Sequence, residues 1–99
     1  MRSVDLALFA DELAARAATL AAQLERARGR LRQAAIEREA RRALDETSVA
    51  RLELLGILGG AAPADVRAEL RELAASLGVV EELQAWIERR LFEAGDEAA

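Results

Sequence analysis

Few side chains in this sequence could do chemistry. The hydroxyl nucleophiles are Ser3, Ser48 and Ser76, and none has a base to activate it, because the chain contains no histidine and no cysteine. The same two absences remove the commonest general base, the commonest metal ligand, the thiolate nucleophile and any disulfide frame. Carboxylates stand side by side at Asp11–Glu12, Glu81–Glu82 and Asp96–Glu97. Adjacent residues on a helix point in different directions, so none of these pairs makes an acid–base site. Gly56, Gly59 and Gly60 lack the Lys-Ser/Thr that a phosphate loop requires. The expectation is a protein with no catalytic residue, no cofactor and no metal, which is to say not an enzyme.

The remaining charged chemistry is cationic. All fourteen basic residues are arginine, against eighteen acidic ones, for a net charge of −4. Seven of the arginines fall between Arg26 and Arg42, and of these Arg26, Arg30, Arg38, Arg41 and Arg42 are candidate contacts for a phosphate, in nucleic acid or a lipid headgroup. They point all around a helix, no aromatic ring is interleaved for base stacking, and Glu25, Glu37 and Glu39 lie among them. A solvated, ion-paired helix face accounts for them better, and nucleic acid is a disfavoured partner for an acidic chain.

Residues 70–87 read LRELAASLGVVEELQAWI. Leu73-Ala74 followed by Leu77-Gly78-Val79 resembles the first helix and turn of the helix-turn-helix family, which implies a DNA-contacting second helix. The sequence departs from that family where recognition is decided. Gln84 stands at an apolar position, Val80 replaces a small polar cap, and Glu81, Glu82 and Glu88 would meet phosphates. An ordinary helix–Gly–helix hairpin accounts for the same residues.

The elements that must position these groups follow from apolar spacing. Leu6, Leu13, Leu20, Ala27 and Ala34 recur every seventh residue, and Ala10, Ala17, Leu24 and Leu31 form a second row three residues before them. All nine share one helix face. Ser3 suits the N-cap and Asp5 the first turn, so a long helix is expected over residues 4–44. Beyond Ala34 a shifted stripe runs through Ile36, Ala40, Ala43, Thr47, Ala50, Leu54 and Ile57. With the Asp45–Ser48 cluster, it predicts a kink or turn and a helix over 49–58. Residues 59–63 form a Gly/Pro break. A helical hairpin is expected over 63–94, one helix carrying Val66, Leu70, Leu73 and Leu77, then Gly78, then one carrying Val80, Leu83, Ile87, Leu91 and Ala94. Residues 95–99 read as a frayed tail.

The fold class expected is therefore all-α: a long N-terminal helix with two or three shorter helices in a small bundle, completed by dimerisation. A first helix of about 60 Å is more than twice as long as either later helix of about 15 residues can cover. The surplus face, Leu6, Leu13, Ala17, Leu20, Leu24 and Leu31, is the expected partner or oligomer surface, with Leu83, Trp86 and Ile87 as a secondary one. Charge is uneven too. Residues 1–24 carry two arginines and three acids, 25–44 seven and three, and 45–99 five and twelve. The basic and acidic parts are expected to face each other, or the opposite parts of a second copy.

The function expected is a non-enzymatic protein–protein interaction module (an adaptor, small chaperone or assembly subunit) acting as a homodimer or with another helical protein. The alternative is a dimeric nucleic-acid-associated regulator. Asp5, Asp11 and Glu12 interrupt any apolar leader, and no apolar run spans a bilayer, so a cytoplasmic protein without a membrane partner is expected.

Overall fold

The structure is a computed structural model that describes residues 2–59 and 62–98, with side chains as far as Gly95. Three helices account for nearly all of it: α1 Ser3–Ala43, α2 Glu46–Leu54 and α3 Pro63–Ala98. No strand occurs among the described residues. The all-α expectation holds, and the elements differ from it in instructive ways.

Helix α1 carries Asp5 in its first turn and Arg41 and Arg42 in its last, the arrangement its dipole favours. Ser3 is the first helical residue rather than a cap. The chain breaks at Leu44–Asp45, and Asp45 (φ −73°, ψ 164°) caps α2. Its carboxylate accepts a hydrogen bond from the Ser48 backbone N–H at 2.7 Å, so α2 starts three residues earlier than expected. It also stops earlier. The Gly56 N–H bonds to the Glu53 carbonyl and the Ile57 N–H to the Leu52 carbonyl, with Gly56 at φ +74°. That is a Schellman ending, which needs a residue free to adopt positive φ.

The largest correction concerns α3. The expected hairpin over 63–94 is one helix of 36 residues, running unbroken through Gly78 and past Gly95. A glycine inside a helix costs about 1 kcal/mol, which a continuous packed seam outweighs. The seam is visible in burial. After Pro63, the buried or half-buried positions are Val66, Leu70, Leu73, Leu77, Val80, Gln84, Ile87, Leu91 and Ala94, spaced alternately by four and three. Without a turn at Gly78, the resemblance to a helix-turn-helix fails, and Gln84 rather than Leu83 takes the seam position. Of the expected break, Gly60 and Ala61 lie outside the described residues, as does Ala99 of the expected tail. The backbone of 95–98 is helical.

The chain divides into two compact units. The terminal unit joins Met1–Leu24 with Glu72–Ala99 and buries Leu6, Leu13, Leu24 and Ile87. The central unit, Glu25–Arg71, buries Ala27, Leu58 and Val66. In the central unit α1 and α3 run in opposite directions. The Arg30 guanidinium pairs with the Glu69 carboxylate, while Pro63 lies by Ala34 and Arg38.

Candidate interaction surfaces

The α1 stripe is an inward face. Leu6, Leu13, Leu24 and Ala27 are buried, and Ala10, Ala17, Leu20, Leu31 and Ala34 are half-buried. A single helix cannot bury its own leucines, so each unit supplies the cover from its stretch of α3. The reason given for a partner on this face, that the later helices are too short, does not hold for a 36-residue α3. What remains is partial cover, since only Leu6, Leu13, Leu24 and Ala27 of the nine are dry. Two helices shield a seam from one side and leave its margins wet.

The secondary candidates separate. Ile87 is 0% exposed and belongs to the core of the terminal unit, so it offers nothing to a partner. Leu83 and Trp86 are 36% and 40% exposed, and Val79, which sequence reasoning named only in the expected turn, is 64% exposed. These three are spaced by four and three, so they form one row on α3. The row precedes the seam residues Val80, Gln84 and Ile87 by one position, about 100° around the helix. The Arg90 guanidinium carbon lies 5.7 Å from the Trp86 ring centroid, a cation–π contact that fixes one face of the ring.

A second apolar surface lies in the central unit, where α2 ends. Leu54 is 89% exposed, and Leu55 and Ile57 are also well exposed. Sequence reasoning placed Leu54 and Ile57 on a shifted stripe with Ile36, Ala40, Ala43, Thr47 and Ala50. Ala40 is half-buried and the other six are exposed, and Leu58 is the residue that turns inward. The signal was present in composition. Leu52, Leu54, Leu55, Ile57 and Leu58 are five apolar residues in seven, and a helical turn has no face wide enough for all of them.

Of the five candidate arginines, three are ion-paired. Arg30 pairs with Glu69, Arg41 with Glu53 at 3.6 Å, and Arg42 with Glu39 at 3.9 Å. Arg38, Arg41 and Arg42 share an open cleft of about 360 Å³ with Ala34, Glu37, Ala62 and Pro63. Arg26 is exposed on α1. The Ser48 backbone N–H, and after it the Ser48 side chain, hold Asp45 below its ordinary value. That is a capping effect. Among the described residues no cluster of three or more carboxylates could hold a metal ion, and no helix is long and apolar enough to cross a membrane. Comparisons with protein-family models, with curated proteins and with solved structures find no match.

Proposed function

We propose that this chain is a non-enzymatic helical interaction module, self-associating and working in the cytoplasm as an adaptor, small chaperone or assembly subunit. The observation that carries the proposal is the exposure of large apolar side chains on α3 and at the end of α2. Val79, Leu83 and Trp86 in one unit, and Leu54, Leu55 and Ile57 in the other, stand in water although the chain has few large apolar residues to spend.

The test is light scattering and sedimentation of the full chain at micromolar concentration, alongside affinity capture with mass spectrometry. A larger-than-monomer mass or a stoichiometric helical partner supports the reading. A monomer that captures nothing overturns it.

The alternative, a nucleic-acid-associated regulator, draws support from the shared cleft of Arg38, Arg41 and Arg42. It is the weaker reading, because Arg30, Arg41 and Arg42 already face carboxylates. A salt-dependent shift of duplex DNA at about 50 mM salt would favour it, and no shift at that salt removes it.

A further inference from the structure

We draw no further inference here: the strongest candidate, the exposed apolar row of Val79, Leu83 and Trp86 on α3 in the terminal unit, carries nothing, because Val4, Leu8, Phe9 and Phe92 of the same unit are exposed as well and nothing in the structure shows what covers any of them.

Discussion

At the scale of single residues, burial separates side chains that sequence spacing treats alike. Ile87 is fully buried and Leu83, four positions earlier, is not, because Gln84 occupies the seam between them. Ile87→Ala is expected to cost about 2–5 kcal/mol in urea unfolding, through lost burial and the cavity left behind. Leu24→Arg puts an uncompensated charge into a buried site and should cost about 3 kcal/mol. At half-buried Leu20 the same change should cost less, since the long stem can carry the charge to water. With the stripe turned inward, both substitutions act on the protomer's own fold. Arg28→Ala should stay within about 0.5 kcal/mol, because its pair with Glu25 is exposed. The residue-level lesson concerns polarity. Gln84 looked like a break in an apolar face, yet the strict alternation of four and three from Val66 already assigned it to the seam.

Elements add two further predictions. Gly78 sits mid-helix in α3 with nothing within 4 Å of where a β-carbon would be, and with no positive φ. Gly78→Ala should therefore raise stability by up to about 1 kcal/mol, seen as a higher urea midpoint with unchanged slope. A turn at Gly78 would give the opposite sign. The Asp45 cap makes the start of α2 acid-sensitive. Its carboxylate titrates lower in the folded chain than its ordinary 3.8. Its contribution is thus complete above that value and is lost as pH falls through the lower, folded one. Asp45→Asn keeps a capping oxygen that does not titrate, so helicity followed from about pH 5 to pH 2 should lose this component of its acid response.

For the molecule as a whole, association should be governed by charge as much as by apolar area. If the self-association proposed above brings oppositely charged units of two copies together, the assembly should dissociate more readily as salt rises, because exposed charges more than about 8–10 Å apart are screened near physiological ionic strength. A dimer held by apolar burial alone would be unchanged or slightly tightened by salt, and sedimentation at 50 and 500 mM (about a tenfold range) separates the two.

The sequence alone determined the helical class, which α1 residues share one apolar face, the break after α1 and the shared face of Val66–Leu77. Each of these follows from local geometry, since 3.6 residues per turn and the demands of helix termini act within a few positions. The cover of the α1 face by the later part of the same chain, the continuity of α3, the burial of Ile87 beside exposed Trp86, and the outward turn of Leu54 and Ile57 were decided by tertiary structure. They depend on which helix lies opposite. A glycine that ends an isolated helix is carried through when a packed partner supports the turns on both sides of it, and no local rule contains that partner.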